Sequence, residues 1–244
     1  MGYTTAEAVT VPFMLAIIVL VGMILGYTLR NKSRQIREIP LQAIAILILV
    51  LEVVKQAYLL ITGTWTPWAI PMHFCSFFLI WFAFALFSRG TVHQLAYSCC
   101  LTGGVLVTLM LIFMPRSIVN VACENIFATF STFHTFVFHF SVVAYWVWLV
   151  MLRVYEPQSR FIWQTTVLYF GFFLLVIAAA FIFNTNYTNV LSSDIPPLES
   201  IRLNAGQFVY DLVMLLGGTA LIAGTNAAVY GLYHLPHHQK QIKQ

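Results

Sequence analysis

Seven stretches of this chain are long and apolar enough to cross a lipid bilayer, and little of the sequence lies outside them. They cover about residues 11–29, 39–61, 71–87, 92–114, 126–152, 161–183 and 207–233. A membrane helix needs about 20 mostly apolar residues. In lipid the backbone polar groups must bond within their own segment, so each stretch predicts a helix. Composition closes off the alternatives. Hydrophobic residues make up 60% of the 244 residues and charged residues 8%, against about 25% charged in a soluble domain. A water-facing shell could not hide so many apolar side chains. An ordinary cytosolic enzyme, a disordered tail and a nucleic-acid binder are excluded. A porin-like barrel is excluded too, because it would alternate apolar and polar residues in segments of about ten. The expected fold is all-α: a polytopic membrane protein whose residues 1–244 form a single seven-helix transmembrane domain, placed in the cell membrane.

The basic residues give this bundle an orientation. With seven spans the connections alternate sides. One side collects Arg30, Lys32, Arg34, Arg37, Arg89, Arg153, Arg160, Lys240 and Lys243, and the other only Arg116 and Arg202. The positive-inside rule therefore puts the N-terminus outside and the C-terminus in the cytoplasm. The first span reads as a span rather than a cleavable signal, because its charges follow it. The formal net charge of +4 needs no nucleic-acid partner, since loop cations facing anionic headgroups explain it. The expected partners are membrane lipids. The longest connection, 184–206, lies outside and reads as a loop.

Function in such a protein is sought where polar groups enter the bilayer, because a charge there is costly unless paired or wet. Glu52, Lys55 and Gln56 stand at i, i+3 and i+4 in the second span, on one helical face. They are either a structural ion pair with a polar seam or the wall of a polar cavity. The third span opens Pro71-Met72-His73-Phe74-Cys75-Ser76. Proline suits the first helical position, which sets Cys75 about one turn from a helix N-terminus, a location that favours a thiolate. Cys75 is either a buried inert thiol or a nucleophile. His73, two residues away, points to a different side of a regular helix. A metal site is not expected, because no second Cys/His pair at ligand spacing completes one.

In the fifth span, His134 is the better functional candidate and His139 the lesser. Each is an interhelical hydrogen-bonding residue or, for His134, a general base. Asn204, Gln207 and Asp211 form one polar stripe at the outer end of the last span, with Lys55 or a His as the expected partner of Asp211. The run Asn184 to Asn189, containing Asn186 and Tyr187, is placed to cap the sixth span and line a mouth. Lys55, His73, Cys75, His134, Asn186 and Asp211 all map to the outer half on this topology, and Glu52 lies near the midplane. The cytoplasmic half offers almost nothing comparable. That asymmetry predicts a polar cavity open toward the outer leaflet. Gly22 and Gly26 form a GxxxG pattern that lets helices approach closely, and Gly103-Gly104 and Gly217-Gly218 are placed to do the same. His234, His237 and His238 read as a wet tail.

Leu51-Glu52 with Lys55, Pro71-x-His73-x-Cys75, His134 and Asn184-x-Asn186-Tyr187 together resemble the YwaF-type integral membrane proteins, whose eukaryotic relatives are the transmembrane-protein-164 group. The likeness runs from about residue 30 to 232. Those relatives are regarded as acyltransferases that move a fatty acyl chain between glycerophospholipids, with a cysteine as nucleophile. By this resemblance Cys75 takes that role.

The leading expectation is a lipid acyltransferase or transacylase that needs no cofactor. Cys75 is its nucleophile, His134 or His73 its base, and Asp211 or Glu52 orients the His. Lys55 and Asn186 hold a phosphate or the developing oxyanion, and Gln56 and Tyr187 line the substrate site. The alternatives are a transporter or lipid- or ion-binding protein without covalent chemistry, and a structural membrane subunit.

Overall fold

The computed structural model describes residues 4–235, with the backbone alone at 120 and 121. His237, His238, Lys240 and Lys243 lie outside the described residues. Every regular element among those described is helical. The helices are α1 (Thr5–Leu29), α2 (Arg34–Ile61), α3 (Phe77–Phe87), α4 (Gly90–Phe113), α5 (Phe130–Met151), α6 (Ser159–Phe183), α7 (Pro196–Ala205) and α8 (Gln207–Tyr233). Six of them, α1, α2, α4, α5, α6 and α8, are long and apolar enough to cross a membrane. Phe74–Phe87, comprising a 3-10 turn and α3, is a shorter apolar helix.

Local chemistry sets the boundaries. Thr4 caps α1 by accepting from the Glu7 amide at 3.1 Å, while the Glu7 carboxylate accepts from the Thr4 amide at 2.8 Å. This reciprocal box satisfies two of the amides a helix start leaves bare. Thr129 and Thr132 form a similar box, and α5 accordingly begins at Phe130 rather than near 126. The third span also starts later than the sequence suggests. Pro71 lies before the helix, and His73, extended at ψ 153°, is the N-cap of a 3-10 turn over Phe74–Ser76. Asn184 ends α6 in the left-handed conformation at φ 48°, which Asn tolerates better than most residues.

The chain divides into two compact units. The first comprises the residues up to Ile61 together with Phe78–Glu156. Its centre is α5, which packs against α1, α2 and α4. The expected small-residue contacts are present here. A methyl on Gly22 would come within 2.4 Å of Met151 Sδ, and one on Gly26 within 3.0 Å of the Met151 carbonyl. Gly104 of α4 lies under the Trp146 ring, with Cδ1 at 2.5 Å from the position of such a methyl. Both indoles are tied as well: Trp148 donates to the Ile18 carbonyl and Trp146 to Thr108 Oγ1, each at 2.9 Å.

The second unit comprises Thr62–Phe77 and the residues from Pro157 onward. Here α6 packs on α8 and α7 on α8. Asn226 of α8, buried, donates to the Phe161 carbonyl of α6 at 3.2 Å. Gly218 of α8 faces the Phe173 ring. His234 lies against the Tyr230 ring and is 3.2 Å from the Pro157 carbonyl.

The segment read as a loop between the sixth and last spans contains α7. Pro196 and Pro197 start it, and Glu199 pairs with Arg202 one turn on. Glu199 also accepts from the Ser193 amide at 2.9 Å. The Arg202 guanidinium and then the Ser193 amide stabilise its charged form, and its carboxyl is held at about 2, below the usual 4.5. The folded value is depressed, so the contribution of this pair is fully present above pH 4.5 and is lost as pH falls through about 2. Amide-exchange protection of α7 is expected to hold steady above pH 4.5 and to fall toward pH 2. In Glu199→Gln that step should vanish, and a step that survives would assign it to another group.

Candidate functional site

The residues singled out by sequence fall into one group in each unit. In the first unit the centre is Glu52 on α2. Lys55 Nζ is 2.7 Å from Glu52 Oε1, and Gln56 donates to the same oxygen at 2.7 Å. These contacts follow from helix spacing alone. The fourth member comes from α5, where His134 Nε2 lies 3.2 Å from Glu52 Oε2. Glu52 and His134 are both buried. One carboxylate thus faces an ammonium, an amide and an imidazole, and binds α2 to α5 at the same time. Glu52, rather than Asp211, is the carboxylate beside His134. The other histidine of α5, His139, sits 2.7 Å from the Thr135 carbonyl of its own helix.

In the second unit the group surrounds the 3-10 turn Phe74–Ser76. Cys75 is a free, half-buried thiol within that turn, whereas Cys99, Cys100 and Cys123 are buried. The run after α6 fastens the turn. Thr188, at φ 50°, accepts from the Phe74 amide at 3.0 Å. The His73 ring lies 4.2 Å from Trp68 and edge-on to Tyr187 at 5.4 Å. The Tyr187 hydroxyl donates to the Pro67 carbonyl. Tyr187 is outside the spans, and burial pushes its hydroxyl pKa up. Asn186 organises its own loop: its amide donates to Ser192, and its carbonyl accepts from the Leu191 and Ser192 amides at 2.8 and 3.2 Å. Asp211 accepts from Gln207 at 2.8 Å, and Gln207 also donates to the Val190 carbonyl. Gln207 thus holds the place expected for Lys55 or a His.

A third cluster escaped the sequence reading. It lies at the end of the first unit that the loop charges assign to the cytoplasm, where no comparable polar group was expected. Glu38 of α2 pairs with Arg34 at 2.7 Å and lies 3.7 Å from His93 Nε2 of α4. Tyr97, fully buried, hydrogen-bonds to Glu38 and packs edge-on to His93 at 4.3 Å. Arg37 reaches the two residues that follow α5, donating to the Leu152 and Arg153 carbonyls at 2.8 and 3.2 Å. Among the described residues, no group of three or more His, Cys, Asp or Glu side chains could hold a metal.

Apolar spanning helices, and charges that enter them only as hydrogen-bonded clusters, define an integral membrane protein. Comparison with protein families matches the TMEM164 family over residues 3–229. The chain belongs to that family. Comparison with curated proteins and with solved structures gives no match.

Proposed function

We propose that this protein is a membrane-embedded phospholipid acyltransferase or transacylase with Cys75 as its nucleophile. The observation that carries the reading is the free, half-buried thiol in the 3-10 turn ahead of α3, fastened by Thr188 and next but one to His73. Membership of the TMEM164 family supports it, since the family resemblance implies a cysteine nucleophile. A base takes the thiol proton and the sulfur attacks the ester carbonyl of a donor phospholipid. The ester C–O bond breaks, and the departing lysolipid oxygen takes that proton. The acyl chain is then a thioester on Cys75. The hydroxyl of an acceptor lysolipid attacks it, the base removes the hydroxyl proton, and the thiol is restored. No cofactor is consumed. The candidate bases are His73, in the same unit, and His134, held by Glu52 in the first unit. A base must come within hydrogen-bond reach of the thiol during the reaction. Seven spans with α3 as the shortest, an outside N-terminus and residence in the cell membrane belong to the same proposal.

The test is lipid mass spectrometry on the purified protein in liposomes holding a labelled donor phospholipid and a lysolipid. Wild type should exchange the label and Cys75→Ala should fall to background. Loss in His73→Gln or His134→Gln identifies the base. A hydroxylamine-sensitive acyl adduct on intact wild-type protein would mark the thioester. Exchange that persists in Cys75→Ala overturns the nucleophile. A second reading, a membrane protein without covalent chemistry, draws on Glu52, whose contact with His134 matches an interhelical tie. Absence of exchange with several lipid classes would favour it.

A further inference from the structure

The cluster around Arg37 and His93 takes no part in the proposed reaction, yet it contains unsatisfied groups. Arg37 uses Nη1 to hold the carbonyls of Leu152 and Arg153, just past the end of α5. Its Nε is buried with no hydrogen-bond partner among the described residues, and so is His93 Nδ1. Buried polar nitrogens are normally bonded, and each unmade bond costs free energy. The two are linked through Arg34, which neighbours Arg37 one helical turn away and pairs with Glu38, itself 3.7 Å from the other nitrogen of His93. The charge there is one-sided. On this stretch of α2, Arg34 and Arg37 stand against the carboxylate of Glu38, which Arg34 already pairs at 2.7 Å. Arg34 is half-exposed. An oxyanion with several acceptor oxygens is the complement of such a corner, and guanidinium groups bind phosphate with matched geometry.

The setting selects the source of that phosphate. Beside the corner, Ile36 and Ile39 of the same helix are exposed at 41% and 55%. An exposed apolar flank next to cations, at one end of a spanning helix, suits a phosphate that carries acyl chains. We propose that this corner is a binding site for the headgroup of an anionic phospholipid, with Arg37, Arg34 and His93 contacting its phosphate.

Native mass spectrometry of the full chain in mixed micelles can test this, with phosphatidylglycerol, phosphatidylcholine or inorganic phosphate added. Phosphatidylglycerol should be retained in preference to phosphatidylcholine, and less so as salt is raised. Arg37→Gln, Arg34→Gln and His93→Gln should each weaken retention, by roughly fivefold for an arginine at a membrane surface. Arg37 also holds α5, so Arg34→Gln, altering a half-exposed side chain, keeps the test sound if Arg37→Gln fails to fold. Arg202→Gln, in the second unit, should change nothing. Equal retention of phosphatidylcholine, or phosphatidylglycerol binding that survives all three substitutions, overturns the site. Inorganic phosphate competing on equal terms overturns the lipid assignment.

Discussion

Glu52→Leu is expected to lower the stability of the first unit by about 3–5 kcal/mol, the cost of leaving one member of a buried ion pair without its partner. The carboxylate is the hub of its cluster. It faces Lys55 and Gln56 at 2.7 Å and His134 at 3.2 Å. Leucine would strand an ammonium whose side chain is only 16% exposed and remove the polar link from α2 to α5. Glu52→Gln should lose less, because it keeps the shape and one acceptor. The double variant Glu52→Leu/Lys55→Met should recover most of the loss, since an apolar pair of similar volume often replaces a buried ion pair without penalty. Unfolding in graded denaturing detergent reads all three. A loss below about 1 kcal/mol in Glu52→Leu would mean that Lys55 snorkels to water on its long stem, and that the pair does not hold the helices.

Gly104→Val is expected to force α4 from α5. Its first added carbon would lie 2.5, 2.8 and 2.9 Å from three atoms of Trp146. The indole cannot swing away freely, because it donates to Thr108, which in turn donates to the Gly104 carbonyl at 2.8 Å. Gly104→Ala should cost about 1–3 kcal/mol, the usual range for overpacking a filled interior, and valine more. Thermal unfolding with near-ultraviolet dichroism of the tryptophans would report the loss and its site. Trimming the opposing ring in Gly104→Ala/Trp146→Leu should return part of it. An alanine variant as stable as wild type would show that the two helices separate at little cost.

How much of this was legible in the sequence depended on distance along the chain. Apolar runs marked six long helices and one shorter one, because lipid leaves the backbone no choice but a helix. The Glu52–Lys55–Gln56 grouping was legible because it is local, set by a helical repeat. Its fourth member was not: 82 positions separate Glu52 from His134, and nothing in either neighbourhood distinguishes Glu52 from Asp211 as the partner. Glu38 and Arg37 escaped for a different reason. They stand beside the loop charges that set orientation, so they read as part of a wet boundary, whereas Tyr97 and the end of α5 draw them inward. The helix α7 was hidden by its own polarity, since Pro-Pro and a salt-bridged turn look like a connection when apolar length is the criterion. At Pro71 a good helix-start residue misled, because the extended backbone at His73 delays the helix to Phe74.

The shortness of α3 has a mechanical consequence. With its lead-in turn of 3 residues, the 11-residue helix is ~21 Å long at 1.5 Å per residue, against a hydrocarbon core of ~30 Å. On the proposed seven-span topology, either the bilayer dimples around it or polar backbone from Pro67 to His73 dips below the headgroups. In the first case the thinned leaflet brings the ester region of neighbouring lipids toward the depth of Cys75, with no side chain needed to pull it. Bilayer thickness then becomes part of how this protein is held in place, and a thicker membrane strains it where the thiol sits.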